Sequence, residues 1–189
     1  MEPTTTLTLE KYVLNSYNYL ERMVDQDGLP YFNIFWTEPA EAAHDGPDYG
    51  DVMSRQFQAA VMGRIMTGVS VKNESAWFRK ILDLINPDDG LLYRPETTYS
   101  KYEADLGDAS LTLYALVTAY QANPDQALEN VIHKMVDGLY KKLNLKNKNQ
   151  GFPFNGFLIK SLTSAARYTN CEIAFALAEK ITKHVFGDG

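Results

Sequence analysis

Two short segments of the sequence carry paired carboxylates at the same spacing. They are Asp48-Tyr49-Gly50-Asp51 and Asp105-Leu106-Gly107-Asp108, and each leads into a stretch of small and apolar residues. Two carboxyl groups that flank one bond are what glycoside hydrolysis uses, one as the acid and the other as a base or nucleophile. We therefore take Asp51 and Asp108 as the candidate catalytic residues, because we expect the fold to bring the two segments together at the mouth of one site.

The same two aspartates also have an ordinary structural interpretation. A carboxylate at the start of a helix accepts hydrogen bonds from N–H groups of the first turn and favours the positive end of the helix dipole. Asp51 and Asp108 both open predicted helices, so we expect at least one of them to act as an N-cap. A cap at the mouth of a site can also take part in chemistry, so the two interpretations are compatible.

The loops around these segments are rich in acidic and aromatic residues. Aromatic rings with polar edges suit stacking on sugar rings, and a guanidinium can hold a substrate carboxylate through two hydrogen bonds. Arg94 stands free in its acidic loop, whereas Arg55, four residues after Asp51, is expected to form a structural salt bridge. The predicted substrate-binding residues are Trp36, His44, Asp48, Arg94, Tyr99, Tyr102 and Asp105.

Composition excludes several other kinds of site. A formal net charge of −6 leaves no surplus of Lys and Arg to neutralise phosphates, so no nucleic-acid partner is expected. Cys171 is the only cysteine, which rules out an intrachain disulfide and a thiolate zinc cluster. The three histidines are scattered along the chain, and no phosphate-binding loop or zinc-protease motif occurs. We therefore expect neither a metal nor a cofactor.

Membrane insertion is also not predicted. No apolar run approaches the roughly 20 residues that a membrane-spanning helix needs. The first residues, 1–6, lack the basic start and apolar core of a signal peptide. The expectation is a soluble chain with no membrane partner, and the compartment stays open.

A turn that contains glycine and aromatic residues recurs along the chain. Its copies centre on Gly28, Gly90 and Gly151, roughly 60 residues apart. After each turn come a loop of variable length, a helix of small and apolar residues, and a more amphipathic helix. This repetition predicts helical hairpins that stack against one another.

Hydrophobic periodicity predicts an all-α protein with seven helices. The first helix of each hairpin is apolar on all sides, which favours an inner row, and the second keeps one apolar stripe, which favours an outer row. Asn123 is the expected N-cap of one outer helix, with Pro124 at its first position, and Asn73 is expected to open another. The predicted ranges are 7–25, 51–68, 73–85, 107–121, 125–143, 156–168 and 172–186.

The chain ends on Gly187-Asp188-Gly189, where a fourth copy of the turn would open. We therefore interpret residues 1–189 as a single domain that is the N-terminal portion of a longer array of hairpins, the alternative being a natural end with a frayed tail. A portion of an array would leave apolar surface at its open edge, and such surface drives self-association.

The hairpin repeat and the segment 48–60, continued by Met66-Thr67-Gly68, resemble the six-hairpin glycosidase superfamily. The segment looks nearest to the aspartate-led inner helix of relatives of the bacterial β-L-arabinofuranosidases. The resemblance implies an (α/α) toroid with its site at the mouth of the inner helices. Those enzymes use a cysteine nucleophile in a cysteine-rich zinc site, and Cys171 stands alone here. Unsaturated glucuronyl hydrolases, also toroids, use aspartates near inner helices, with which Asp51 and Asp108 compare only by position.

The function that these patterns favour is a carbohydrate-active α/α-toroid protein, a glycoside hydrolase or a fragment of one, with a carbohydrate ligand at its acidic and aromatic mouth. The alternative is a non-catalytic helical-repeat module that binds a protein or glycan partner through its concave face. A terpenoid cyclase or prenyltransferase toroid would need an aspartate-rich cluster, and the adjacent pair Asp88-Asp89 belongs to a turn.

Overall fold

The computed structural model describes residues 8–30, 34–35, 38–39, 41–145 and 155–187. It is all-α, as predicted, and a short antiparallel pair, β1 (Ile34–Phe35) with β2 (Glu41–Ala42), is the strand structure within these ranges. The seven α-helices of the described residues are α1 (Leu9–Arg22), α2 (Met53–Thr67), α3 (Glu74–Leu84), α4 (Leu106–Ala122), α5 (Gln126–Lys142), α6 (Asn155–Thr169) and α7 (Glu172–Phe186).

The helices pack in two rows. In the inner row α4 lies between α2 and α6 and contacts both. In the outer row α3 packs on α2, α5 on α4 and α7 on α6, while α1 packs on α2. Each inner helix therefore pairs with the outer helix that follows it in sequence, which is the hairpin arrangement that the repeat predicts.

The central position of α4 explains its composition. Eleven of its 17 residues are buried, and small residues such as Ala109, Ser110 and Ala115 let the neighbouring helices approach closely. A helix with neighbours on several sides needs no polar face, so it lacks the amphipathic stripe that marks α5. The core continues outward through side chains such as Trp77 and Ile132, which are fully buried.

Polar side chains join the inner helices at matched positions. Ser54 and Thr112 share a hydrogen bond of 2.9 Å between α2 and α4, and Gln58 donates to Thr118 at 3.1 Å. From the first hydrogen bond to the second, the residue number rises in both helices, so α2 and α4 are parallel. Their N-terminal ends, which carry the two Asp-x-Gly-Asp segments, therefore lie at the same end of the fold.

The two described copies of the repeated turn make equivalent contacts. Gly28 and Gly90 both have positive φ, 80° and 74°, a conformation that glycine adopts without strain. The Gly28 carbonyl accepts a hydrogen bond of 2.7 Å from the Trp77 indole of α3. Gly90 lies against the backbone of Lys134 in α5, where an added Cβ would come within 2.6 Å of a carbonyl oxygen. Each turn thus docks on the next outer helix, and the third copy, at Gly151, lies outside the described residues.

The start of α5 corrects one prediction. Asp125, and not Asn123, is its N-cap, because the Asp125 carboxylate accepts a hydrogen bond of 3.0 Å from the Leu128 amide. Asn73 does precede α3, but its side chain makes no capping hydrogen bond. Asn and Asp are comparably good caps in isolation, so the loop that precedes the helix decides which one is used.

Candidate functional site

The N-terminal end of α2 begins with a π-helical turn, Asp48–Val52. The Met53 amide donates to the carbonyl of Asp48, five residues earlier, which defines the turn. Single π-helical turns are rare and occur frequently at functional sites. This one packs against α4.

Two glycines allow that close packing. A Cβ built on Gly50 would lie 2.1 Å from Cγ of Asp108, which is far closer than two non-bonded carbon atoms can approach. A Cβ on Gly46 would lie 3.0 Å from Cδ of Arg94. The segment before α2 can therefore contact Asp108 this closely only because position 50 lacks a side chain, and a side chain at position 46 would require Arg94 to shift.

Arg94 and Asp108 form a bidentate ion pair. Arg94 Nε donates to Asp108 Oδ2 at 2.7 Å and Nη2 donates to Oδ1 at 3.1 Å, and Asp108 is only 2% exposed. Carboxylate oxygens of Glu103 and Asp105 lie 3.6 and 3.7 Å from the same guanidinium. The expectation that Arg94 stands free is wrong, because three carboxylates surround it.

The pair differs from an ordinary surface salt bridge in its electrostatics. The pKa of Asp108 is raised to about 6: burial is the largest cause, the hydrogen bonds and charge of Arg94 act to lower the pKa, and the charges of Asp105 and Asp51 act to raise it. The pKa of Arg94 is also raised: burial acts to lower it, but its hydrogen bond to Asp108 and the surrounding carboxylates outweigh that effect. The site therefore holds a carboxyl group that titrates near neutral pH beside a permanent cation.

Asp51 is the more accessible of the two candidate catalytic residues, with 30% of its side chain exposed. It pairs with Arg55 one turn later, as predicted. Both residues line a pocket of about 530 Å³ between α1 and α2, together with Tyr19 and Gln56. The Gln56 Oε1 atom is buried and has no hydrogen-bond partner among the described residues.

Neither candidate aspartate caps a helix. Asp105 caps α4 by accepting hydrogen bonds from the Gly107 and Asp108 amides at 2.7 and 3.0 Å. Asp108 lies in the first turn of that helix, and Asp51 lies inside the π-helical turn. The capping interpretation of Asp51 and Asp108 is therefore wrong, and in the second motif the capping residue is its first aspartate, Asp105.

His44 and Asp48 do come together, and they lie with a residue that the sequence did not point to. His44 Nε2 lies 2.9 Å from Asp25 Oδ2, and His44 Nδ1 lies 3.6 Å from Asp48 Oδ2. Burial acts to raise the pKa of Asp25, but hydrogen bonds from His44 and two backbone amides lower it overall. The sequence predicts Asp25 as the last residue of the first helix, whereas in the structure its other oxygen accepts hydrogen bonds from the Asp27 and Leu29 amides of the following turn.

Tyr102, one of the aromatic residues predicted to bind substrate, makes its ring contact away from the two aspartates. Tyr102 stacks on Tyr93 with the ring centroids 5.0 Å apart, and the Lys142 ammonium of α5 lies 5.6 Å from the Tyr93 ring. These contacts place Tyr102 beside the outer row and not on Asp51 or Asp108. Tyr99 is 43% exposed on the loop that carries Arg94. Trp36 lies outside the described residues.

Within the described ranges, no group of three or more His, Cys, Asp and Glu side chains is arranged to hold a metal ion. No helix in the part of the chain that the structure describes is both long and apolar enough to cross a membrane.

Comparison with known proteins gives no assignment. No protein-family model, curated protein or solved structure matches the chain significantly.

Proposed function

We propose that this chain is a carbohydrate-active α/α-toroid protein, of the glycoside hydrolase type, in which Asp51 is the carboxylate that touches the sugar. The observation that carries the proposal is the placement of Asp51: it is partly exposed, lines a pocket of about 530 Å³, and lies at the end of the inner row where both repeated motifs meet. Parallel inner helices with acidic N-terminal ends support the same interpretation.

The polar groups of that pocket suit a hydroxyl-rich ligand. Asp51 accepts hydrogen bonds and Arg55 donates them, and both side chains are partly exposed in the pocket. Tyr19, which is 55% exposed, adds an aromatic face on the α1 side. A few convergent polar groups with an apolar wall are typical of small-molecule sites.

Asp108 has a different role in this proposal. At 2% exposure and under a bidentate arginine it does not reach a ligand, so we assign it as a positioning residue. It holds Arg94 against Gly46 and the π-helical turn through Gly50, and thereby fixes where Asp51 projects. Its raised pKa makes this support dependent on pH near neutrality.

The test is saccharide binding and turnover by the Asp51→Asn variant. An amide still forms hydrogen bonds but cannot act as a base or nucleophile, so we expect retained folding and binding with hydrolysis reduced by at least about a hundredfold. The control is Asp137→Asn, the same change on the exposed face of α5, which should leave both unchanged. Binding is measured on a glycan array and turnover by release of reducing sugar.

Two results would contradict the proposal. One is a folded wild-type protein that neither binds nor cleaves any saccharide of the array. The other is Asp51→Asn with full turnover of a substrate that the wild type cleaves, which would move the chemistry to another residue.

A helical-repeat binding module is the second candidate, and one observation favours it. Met62, Ile65 and Met66 of α2 are each about half exposed or more, and they border a groove with Tyr114 of α4. Exposed apolar side chains along an inner helix are typical of a surface that binds a partner. Absence of saccharide binding, together with intact folding, would favour this function.

A further inference from the structure

A separate cavity of about 240 Å³ lies at the opposite end of the inner row from Asp51. It is bounded by α2 from Phe57 to Arg64, by the last turn of α4, and by the first turns of α3 and α5. Its apolar wall includes Phe57 and Phe78, whose rings stack with centroids 5.4 Å apart, and Leu128. Its polar side carries Arg64 and Glu74.

Glu74 has one satisfied oxygen and one that is not. The residue is 8% exposed, and its Oε1 accepts a hydrogen bond of 2.9 Å from Arg64 Nε. Its Oε2 is buried and has no hydrogen-bond partner within the described parts of the chain. Leaving a buried carboxylate oxygen without a donor is costly, so a donor that reached this atom from the adjoining cavity, after a small rotation of the carboxylate, would be held strongly.

The charges around the cavity favour a positively charged hydrogen-bond donor. Glu74 and Asp125 contribute two carboxylates to the lining, and Arg64, one third of whose side chain is exposed, contributes one cation. The Asp125 carboxylate already caps α5. An ammonium group would add the missing charge and give Oε2 a charge-assisted hydrogen bond, which is stronger than one from a neutral donor.

We propose that this cavity binds a small primary amine with an apolar body, whose ammonium group donates to Oε2 of Glu74 while the body packs on Phe57 and Phe78. A volume of about 240 Å³ lies just below the usual range of small-molecule sites, so the ligand is compact. The site is independent of the carbohydrate proposal, because the two pockets share no lining residue.

The probe is benzylamine, titrated into the whole chain and followed by amide chemical shifts in NMR spectra. We expect saturable binding in the millimolar range or tighter, with shifts confined to α2 from Phe57 to Arg64, the last turn of α4 and the first turns of α3 and α5. Benzyl alcohol and benzoate have the same body without the ammonium group and should bind at least about tenfold more weakly.

Two variants test the assignment of the contact. Glu74→Gln keeps the shape and removes the charge, and it should raise the Kd of benzylamine by about tenfold or more. Glu179→Gln, on the exposed side of α7, is the matched control and should leave the Kd unchanged. Ser75→Phe places a ring at the exposed rim of the cavity and should abolish binding without altering Glu74.

Any of four results would overturn the proposal. They are no binding of benzylamine to the wild type, equal binding of benzyl alcohol or benzoate, an unchanged Kd in folded Glu74→Gln, and unchanged binding in Ser75→Phe. Because Ser75 is exposed, its variant gives the answer even if Glu74→Gln does not fold.

Discussion

Burial and pairing oppose each other at Asp108. Its two oxygens meet Arg94 in good geometry, yet so little of the residue is exposed that burial dominates and its pKa rises to about 6. A buried ion pair of this kind is weak evidence for stability, since the cost of removing both charges from water offsets their attraction. What it supplies is a fixed geometry between Arg94, α4 and the π-helical turn.

The pH dependence of stability tests this balance. An aspartate with an ordinary pKa titrates near 3.8, so the raised pKa of Asp108 makes a stabilising contribution that is complete below that pH and is lost as the pH rises through about 6. Between about pH 4 and about pH 7 we expect the wild type to lose about 2 kcal/mol of unfolding free energy relative to Asp108→Asn. Urea unfolding at a series of pH values measures the difference.

Asp137→Asn is the control for that series, because the residue is exposed and its removal should shift the curve little. A wild type that gains stability over Asp108→Asn as the pH rises would mean that Arg94 outweighs burial and that the pKa of Asp108 is lowered.

Sequence reasoning located the carboxylates of this site but not their roles. Asp105 and Asp108 are three residues apart at the start of one helix, and the sequence does not distinguish which of them caps it; in the structure Asp105 is the cap and Asp108 lies in the first turn. Arg94 meets Asp108 because a short hairpin, in which the Arg94 amide donates to the Glu103 carbonyl, turns it back onto α4. The hydrophobic periodicity of the sequence does not predict that this hairpin brings Arg94 back onto α4.

At the scale of helices, the sequence predicts the helix bounds well wherever buried apolar residues recur at helical spacing. The ranges of α4 to α7 are predicted to within one residue at each end, because their apolar patterns stop where packing stops. The start of α2 is different. Asp51 was placed as its first residue, but regular α-helix begins at Met53, after the π-helical turn. The extra residue of a π-helical turn does not show in the pattern of hydrophobic residues, so the sequence does not predict this turn.

Gly50→Ala tests whether that turn depends on contact with α4. The added methyl group would overlap the Asp108 carboxyl group, so we expect a loss of at least about 2 kcal/mol of unfolding free energy. Gly156→Ala is the matched control: it lies in α6, nothing is within 4 Å of the new atom, and its effect should stay within about 1 kcal/mol. Chemical denaturation of both variants gives the comparison, and equal stabilities would show that the contact with Asp108 is dispensable.

For the whole molecule, the two rows end at α6 and α7, whose outward side retains exposed apolar residues. Ile173 and Phe175 are 45% and 62% exposed, and Phe175 borders an open pocket with Cys171 and Ala166. The hairpin repeat predicts the stacking of α2 to α7, because each copy supplies one inner and one outer helix. It does not predict what packs on the outward side of α6 and α7.

We predict that this side mediates self-association. The wild type should sediment as dimers or larger species at micromolar concentration, and Phe175→Glu should shift it to monomers by placing a charge on the apolar surface. Tyr140→Glu, at a similarly exposed aromatic residue of α5, is the control and should keep the wild-type distribution. A wild type that is strictly monomeric in sedimentation velocity would contradict the prediction.

The π-helical turn has a consequence for how this chain is compared with others. It contains one residue more than an α-helical turn, so it is equivalent to a single-residue insertion at the start of α2. In an α-helix one residue corresponds to a rotation of about 100°. A homologue without the insertion would present the residue aligned with Asp48 to a different neighbour. An alignment that runs through 48–52 without a gap would therefore equate side chains that occupy different places in space.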